Sequence, residues 1–189
     1  MRLFIALKLS KEQQHAVGVM QSRLKDYVKG VKWVRPENMH LTLKFLGEID
    51  SYNVGLIKEA LEKAAITFEP YQYAFRGTGV FPHPGKPRVL WLGMQKGRKE
   101  TAEIAEKVES HLTEMGYAKE SREFYPHLTL GRLRNPIEKQ VLNRFLEEEK
   151  NFTTPLAEVD EIVLYQSILD SNGARYKEIF KSILQKRYT

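Results

Sequence analysis

Alternating apolar and polar positions at the start of the chain predict a strand followed by a helix. Residues 1–9 place leucine and isoleucine side chains on one face and other apolar side chains on the opposite face, which is typical of a buried strand. Ser10 comes next and Gln13 stands three residues later, a capping-box pattern that predicts the start of a helix. The two-residue period returns in MHLTLKFL at 39–46, which predicts another strand that stops at Gly47.

The remaining pattern predicts three helices and five strands without a Gly/Ser linker or a low-complexity segment between them. In chain order these are a helix from Asp50 or Ser51 to about Ile66, strands over 71–80 and 88–95, a helix over 98–115, a strand over 127–133, a helix that opens at Pro136 and runs to 148, and strands over 158–169 and 174–184. Asp170-Ser171-Asn172-Gly173 between the last two strands is a strong hairpin-turn signal. The order β-α-β-α-β-β-α-β-α-β-β predicts a single α+β domain over 1–189.

One tetrapeptide, HLTL, occurs at 40–43 and again at 127–130. With the 21 Leu and 9 Thr of this chain, LTL would follow a given His by chance about once in two thousand. A helix, the HLTL strand, a second helix and a hairpin follow one another around 10–95 and again around 98–184. This duplication predicts two interleaved lobes related by a pseudo-twofold axis, with two antiparallel sheets facing a central cleft and helices outside.

The repeated motif places histidine and threonine side chains on one face of each strand. Residues two apart on a strand point to the same side, so His40 projects with Thr42 and His127 projects with Thr129. A looser copy, His111 followed by Leu and Thr, falls in a predicted helix, where residues two apart diverge. If the two strands lie side by side, two imidazoles and two hydroxyls converge on one position.

Two histidines and two threonines suit chemistry at a phosphodiester. One imidazole can take a proton from the attacking oxygen while the other protonates the leaving oxygen. The threonine hydroxyls can donate hydrogen bonds to the non-bridging oxygens. The pattern leaves open which histidine is the base. No carboxylate or thiolate accompanies the set, so we expect neither a metal ion nor another cofactor.

Composition narrows the class of protein. The 30 Lys and Arg exceed the 24 Asp and Glu, giving a net charge of +6 that permits an anionic partner without requiring one. The chain has no cysteine, hence no disulfide, thiolate metal site or cysteine nucleophile. No apolar run reaches the roughly 18–20 residues of a membrane helix, and the amino terminus lacks a signal-peptide pattern. We therefore expect a cytoplasmic protein that does not engage membranes.

The motifs and their surroundings resemble a known family. HLTLKFLG at 40–47 and HLTLGR at 127–132 are similar to the paired HxTx signatures of the 2H phosphoesterase superfamily. MRLFIAL at the start, VRPENM before the first motif, FPHPGKPRVLWLG at 81–93 and YPHLTLGR at 125–132 together resemble the RNA 2′,3′-cyclic phosphodiesterases, also called 2′-5′ RNA ligases. The resemblance covers nearly the whole chain.

The resemblance implies a bilobal fold and metal-independent hydrolysis of an RNA or nucleoside 2′,3′-cyclic phosphate to a 2′-phosphomonoester. It implies His40 as the proton donor and His127 as the proton acceptor, with Thr42 and Thr129 on the phosphate. It also implies joining of a cyclic-phosphate end to a 5′-hydroxyl through a 2′-5′ bond. The expected partner is RNA with a cyclic end or a cyclic nucleotide, and nothing in the sequence calls for a protein partner.

Phe45 and Arg132, each five residues after its histidine, correspond to positions at which the family contacts the nucleotide. Strict alternation would turn both away from the histidines. Either Gly47 and Gly131 mark bends that redirect these side chains, or one of the two is structural. Lys44 is four residues after His40, so strict alternation places it on the face of His40. It is then an alternative to Arg132 as the cation of the cleft.

Two other functions stay open on the sequence alone. One is a module that binds RNA ends or nucleotides without turning them over. The other is the same chemistry on 2′-5′ oligonucleotides or another small cyclic phosphate. The roles of His83, in a proline-rich loop, and of the basic C-terminal strand after Arg175 are also open.

Overall fold

A computed structural model describes residues 1–171 and 173–185, and this part of the chain forms nine β-strands and four α-helices. The strands are β1 (Arg2–Lys8), β2 (Val31–Trp33), β3 (His40–Glu48), β4 (Tyr71–Phe81), β5 (Val89–Lys96), β6 (His127–Leu133), β7 (Ala157–Val159), β8 (Glu161–Asp170) and β9 (Gly173–Ile183). The helices are α1 (Lys11–Tyr27), α2 (Val54–Ala65), α3 (Arg98–Glu114) and α4 (Lys139–Glu148).

The strands form two antiparallel sheets, each of which contains one HLTL strand. The first sheet has the order β3-β1-β8-β9 and the second has the order β2-β6-β5-β4-β7. Strand β8 comes from the second half of the chain and pairs with β1 of the first half, whereas β6 of the second half pairs with β2 of the first. The α+β fold with two antiparallel sheets is therefore confirmed. The HLTL strands β3 and β6 contact each other but belong to different sheets. They are therefore close in space without being paired by backbone hydrogen bonds.

Most predicted elements are confirmed, including the start of α1. The Ser10 hydroxyl accepts a hydrogen bond from the Gln13 backbone, and the Gln13 side chain accepts one from the Ser10 backbone. The discounted motif copy at His111 lies within α3, as predicted. Strands β8 and β9 form the predicted hairpin, with Asp170 opposite Gly173. Asn172 of its turn lies outside the described residues.

Three element boundaries differ from the predictions. Helix α2 begins at Val54, because Ser51–Asn53 forms a separate 3₁₀ turn and Asp50 makes no side-chain capping bond. Helix α4 begins three residues after Pro136, because Glu138 is extended and occupies the N-cap position. The apolar run 158–169 divides at Asp160 between β7 and β8, which belong to different sheets.

The first sheet is apolar on both faces. Leu3, Ile5 and Leu7 of β1 belong to the main core, and α2 packs against β8 and β9. The opposite face carries a second, smaller apolar cluster of buried residues: Phe4, Ala6, Val163 and Tyr165. Because the register places Ala6 opposite Thr42 and Phe4 opposite Phe45, this second face is the one that bears the first motif. It forms one wall of the cleft between the lobes.

Candidate active site

His40 and His127 are held in the same way on the two sheets. Nδ1 of His40 donates to the carbonyl oxygen of Asn38 at 2.9 Å, and Nδ1 of His127 donates to that of Tyr125 at 2.6 Å. A carbonyl only accepts, so each ring carries its proton on Nδ1 in the neutral state and presents an Nε2 lone pair. Neither Nε2 has a hydrogen-bond partner among residues 1–171 and 173–185. Both rings can therefore accept or donate a proton at Nε2.

Burial lowers the pKa of both imidazoles. The pKa of His40 falls to about 4, because desolvation of the charged ring outweighs the hydrogen bond to Asn38. The pKa of His127 is also lowered by burial, with the Tyr125 carbonyl opposing the shift and the positive charge of Arg132 adding to it. At neutral pH the free protein therefore holds both rings mainly in the neutral form.

The ring of His40 is surrounded by aromatic side chains from three strands. Its centroid lies 4.6 Å from Phe4, 5.0 Å from Tyr176 and 6.2 Å from Tyr165, with Tyr176 presenting its edge. Local sequence patterns did not point to these three aromatic residues. The register of β1 with β3 was needed to show that Phe4 shares the face of His40.

A second aromatic group surrounds His127. The ring centroid of His127 lies 4.8 Å from Phe81 and 6.3 Å from Trp91, and Tyr125 packs on Trp91 at 5.3 Å. The indole lies over Gly79, where a Cβ atom would meet the ring at 2.1 Å. Trp91 therefore packs between Gly79 and the second histidine. Trp91 and Gly93 lie two residues apart on β5, and Gly93 pairs with His127. This spacing was the sequence signal that places Trp91 on the face of β5 next to the second motif.

Thr42 and Thr129 lie beside their histidines, half-buried, on the same strand faces. Thr42 pairs with Ala6 and Thr129 pairs with Trp91. Neither hydroxyl has a protein hydrogen-bond partner within the described ranges of the chain. Both are available to an oxygen that binds between the histidines.

Matching β-bulges redirect the residues that follow each motif. In β3 the register passes from Thr42 to Lys44 and leaves Leu43 unpaired, and in β6 it passes from Thr129 to Gly131 and leaves Leu130 unpaired. Each extra residue reverses the alternation that follows it. The bulges occupy the fourth position of HLTL in both strands. The bulge in β6 directly precedes Gly131, whereas the bulge in β3 lies four residues before Gly47.

The bulges bring Phe45 and Arg132 to the faces that carry the histidines. Phe45 pairs with Phe4, lies 6.1 Å from its ring and is 60% exposed. Arg132 is exposed and its charge acts on both His127 and the hydroxyl of Tyr176, which itself contacts His40. The contact between β3 and β6 brings the residues of the first motif next to those of the second. The action of Arg132 on groups beside both histidines agrees with this arrangement.

Lys44 does not enter the cleft, so that expectation is wrong. The bulge turns it to the opposite face, where it is 6% exposed. Its Nζ lies 2.7 Å from Oε2 of Glu109 on α3 and donates to the carbonyl of Ala118 at 2.9 Å. Oε1 of Glu109 accepts the backbone N–H of Glu120 at 2.7 Å. Lys44 thus ties the first motif strand to the segment that leads to His127.

The structure also describes other histidines and the basic C-terminal strand. His83 is exposed in the loop between β4 and β5, and His15 is exposed on α1. In the basic C-terminal strand, Lys181 pairs with Glu161 and Glu178, while residues 186–189 lie outside the described residues.

The donor set at the motifs is poor in metal ligands. It consists of two imidazoles whose Nδ1 atoms are occupied, two hydroxyls and a guanidinium, without a carboxylate. Over the described part of the chain, no group of three or more His, Asp or Glu side chains could hold a metal ion. No helix there is long and apolar enough to cross a membrane.

Known proteins share this sequence pattern and fold. The LigT like Phosphoesterase family model matches the chain twice, over residues 7–91 and 92–176. An RNA 2′,3′-cyclic phosphodiesterase of Aeropyrum pernix is 39% identical over 164 residues, covering 85% of this chain and 92% of that protein. A protein of the same name from Archaeoglobus fulgidus is 36% identical over 181 residues, covering 95% and 98%.

Solved structures agree with the fold. A crystal structure of a Thermus thermophilus protein covers 100% of both chains with a TM-score of 0.83 and 26% identity. E. coli LigT complexed with 3′-AMP covers 98% of both chains with a TM-score of 0.78, and at 22% identity this likeness shows the fold alone. The resemblance found in the sequence is thereby confirmed, and the chain belongs to the LigT-like phosphoesterase family.

Proposed function

We propose that this protein hydrolyses the 2′,3′-cyclic phosphate at an RNA end, or of a nucleoside, to a 2′-phosphomonoester. Relatives that are 39% and 36% identical carry the name RNA 2′,3′-cyclic phosphodiesterase and match almost their full length. The observation that carries the proposal is the matched pair of histidines, each fixed through Nδ1 and open at Nε2. We also propose a cytoplasmic location, which the RNA substrate and the absence of cysteine support.

The reaction assigns one proton transfer to each ring. Nε2 of His127 takes a proton from water while the water oxygen forms its bond to phosphorus. The bond from phosphorus to O3′ breaks, and Nε2 of His40 gives its proton to O3′, leaving a 3′-hydroxyl and a 2′-phosphate. Thr42 and Thr129 donate hydrogen bonds to the non-bridging oxygens, where negative charge concentrates. Phe45 and Arg132 hold the terminal nucleotide by stacking and by charge.

The lowered pKa of His40 determines at which stage of the reaction this residue can hold the proton that it donates. A neutral His40 cannot act as an acid, so the reactive complex must carry a proton on that ring. The anionic phosphodiester raises the pKa of an imidazole beside it and so favours the protonated form. An imidazole with a low intrinsic pKa is a strong acid once it is protonated. The buried aromatic setting of His40 therefore fits the donor role, provided that substrate binds first.

Turnover of a nucleoside 2′,3′-cyclic phosphate is the direct test of the proposed function. The expected product is the 2′-monophosphate alone, identified by phosphorus NMR, and formation should continue in excess chelator because the proposed steps use only side chains. Binding of the cyclic nucleotide without any product would favour the non-catalytic binding module instead. Formation of the 3′-monophosphate would contradict the assignment of O3′ as leaving group.

The pH dependence should reflect the depressed pKa values. We expect a bell-shaped profile of kcat/KM with its maximum below pH 6.5, since kcat/KM reports groups of the free enzyme. Raising the pH removes the proton that His40 must donate. Lowering the pH protonates His127, which can then no longer accept a proton from water. The profile of kcat should lie at higher pH, because bound phosphate raises both pKa values. A kcat/KM that is flat from pH 5 to 8 would contradict this account.

Removing either threonine hydroxyl should slow the chemical step. Thr42→Val and Thr129→Val keep the shape of the side chain and remove one hydrogen-bond donor, so kcat should fall by about 10²-fold in each. Thr113→Val on the exposed surface of α3 is the matched control and should retain full activity. An unchanged kcat in Thr42→Val or Thr129→Val would remove that hydroxyl from the phosphate site.

A further inference from the structure

A buried glutamine on α1 donates hydrogen bonds to two segments that lead to different histidines. Gln21 is 1% exposed, and its Nε2 atom lies 2.9 Å from the carbonyl oxygen of Val34 and 2.9 Å from that of Leu130. Both carbonyls only accept hydrogen bonds, so the amide nitrogen must face both of them. Gln21 therefore bridges Val34, which directly follows β2, and Leu130, which lies within β6.

The Leu130 end of this bridge lies in the second motif. Leu130 is the bulge residue of β6 and stands two residues before Arg132. Its carbonyl also accepts the backbone N–H of Val34 at 2.9 Å, just beyond the last residue pair of β2 with β6. The Gln21 amide thus closes the end of this strand pair at the bulge that follows His127 and Thr129.

The Val34 end of the bridge leads to the first histidine. Residues 34–39, which we call the crossover, carry the chain from β2 of the second sheet to β3 of the first, through a 3₁₀ turn at Pro36–Asn38. The carbonyl of Asn38 accepts the hydrogen bond from Nδ1 of His40. The position of the crossover therefore sets the position of the carbonyl that orients His40.

Two observations indicate that the Gln21 amide fixes positions in addition to satisfying carbonyls. The Leu130 carbonyl already accepts the Val34 N–H, whereas Oε1 of Gln21 is buried without a hydrogen-bond partner in the described part of the chain, which costs stability. Helix α1 also packs closely on the crossover, because a Cβ atom at Gly18 would lie 3.2 Å from Cγ of Pro36. The helix, the crossover and the second motif are thus held together at one point.

We propose that Gln21 is a positioning residue that fixes the second motif strand against the crossover and so sets the distance between the imidazoles of His40 and His127. This rests on the proposed function, because a step that uses both rings at one phosphorus atom needs both Nε2 atoms in place at the same time. Gln21 is buried and acts through the backbone of the two segments. Without it, each ring keeps its own Nδ1 hydrogen bond but loses the support that the two half-sites share.

Replacing Gln21 by methionine removes both donors and keeps the length of the side chain. With a nucleoside 2′,3′-cyclic phosphate as substrate, we expect kcat of Gln21→Met to fall by about 10–10²-fold, because small displacements of catalytic groups slow the chemical step. KM should stay within about threefold of the wild-type value, because the groups that contact the bound substrate are all present. Steady-state rates at a temperature at which the variant is folded provide both constants.

Gln13→Met is the matched control for loss of a buried glutamine. Gln13 is also fully buried on α1, and its side chain also makes two hydrogen bonds to backbone groups, those of Ser10 and Pro155. Both variants should lower Tm, but only Gln21→Met should lower kcat. In a His127→Ala background, Gln21→Met should have no further effect on kcat, because the distance between the two rings then no longer matters.

Several results would overturn the proposal. These are a folded Gln21→Met with wild-type kcat, an equal loss of kcat in Gln13→Met, and a loss that multiplies with that of His127→Ala. If Gln21→Met does not fold, Gln21→Glu is the second variant, because it keeps the shape of the side chain and has at most one donor, which cannot bridge both carbonyls. Its kcat should fall as well, and a wild-type value would equally overturn the proposal.

Absence of turnover by the wild-type protein on every cyclic phosphate would instead refute the proposed function. Crystal structures of the wild type and of the Gln21 variant would then decide the role of Gln21 alone. We expect the distance between Nε2 of His40 and Nε2 of His127 to differ by more than about 0.5 Å between the two structures. An unchanged distance would show that Gln21 does not position the rings.

Discussion

Replacing His40 or His127 by alanine is expected to lower kcat by about 10²–10⁴-fold, because each ring supplies one of the two proton transfers. The effects should not multiply in the double variant, since loss of either transfer already disables the concerted step. Rates measured with a saturating nucleoside 2′,3′-cyclic phosphate give the values directly.

Controls separate catalysis from folding in these variants. His40 packs among Phe4, Tyr165 and Tyr176, so the alanine variant leaves a gap, and circular dichroism and thermal unfolding should accompany the rates. His40→Asn fills more of the space and should be equally slow. His15→Ala, on the exposed face of α1, is the matched control and should be fully active. A His40 or His127 variant that is folded and retains most of its activity would exclude that ring from the mechanism.

Replacing Lys44 by methionine should destabilise the protein by about 3–5 kcal/mol, because the Glu109 carboxylate would stay partly buried without its partner. The Lys44 and Glu109 side chains are only 5% and 16% exposed. For a chain of this size the loss corresponds to a decrease in Tm of about 6–20 °C. Urea unfolding followed by fluorescence provides the free energy.

A double variant distinguishes the lost pair from a general loss of packing. Lys44→Met with Glu109→Met removes both charges and should recover much of the stability, as expected when no unpaired charge remains. Lys99→Met breaks an exposed pair with Glu103 and should cost less than about 1 kcal/mol. If Lys44→Met were no more costly than Lys99→Met, the ion pair would not be holding β3 to α3.

Local periodicity was enough to predict most of the fold and the shared strand faces of the histidines and threonines of the candidate site. The two-residue period of a strand puts His40 beside Thr42 and His127 beside Thr129, and the structure keeps both pairs on one face. The duplicated tetrapeptide also indicated two equivalent strands. The helix boundaries at Asp50 and Pro136 were wrong, because a capping residue indicates where a helix can start without showing where its first turn forms.

The rest of the site depends on pairing between distant strands. A bulge is visible only in the register with a partner, so the sequence could not decide whether Phe45 or Lys44 faces the histidine. Likewise, the aromatic group around His40 comes from β1 near the start of the chain and from the β8–β9 hairpin near its end. The Lys44–Glu109 pair also joins elements that local patterns describe separately.

Two imidazoles that act on one phosphorus atom must both contact the phosphate that the reaction produces. In crystals of the protein with a nucleoside 2′-phosphate bound, Nε2 of His40 and Nε2 of His127 should therefore each lie within about 2.6–3.2 Å of the 3′-hydroxyl or of an oxygen of that one phosphate. A phosphate that contacts only one of the two rings, or that binds away from both, would exclude this two-histidine mechanism.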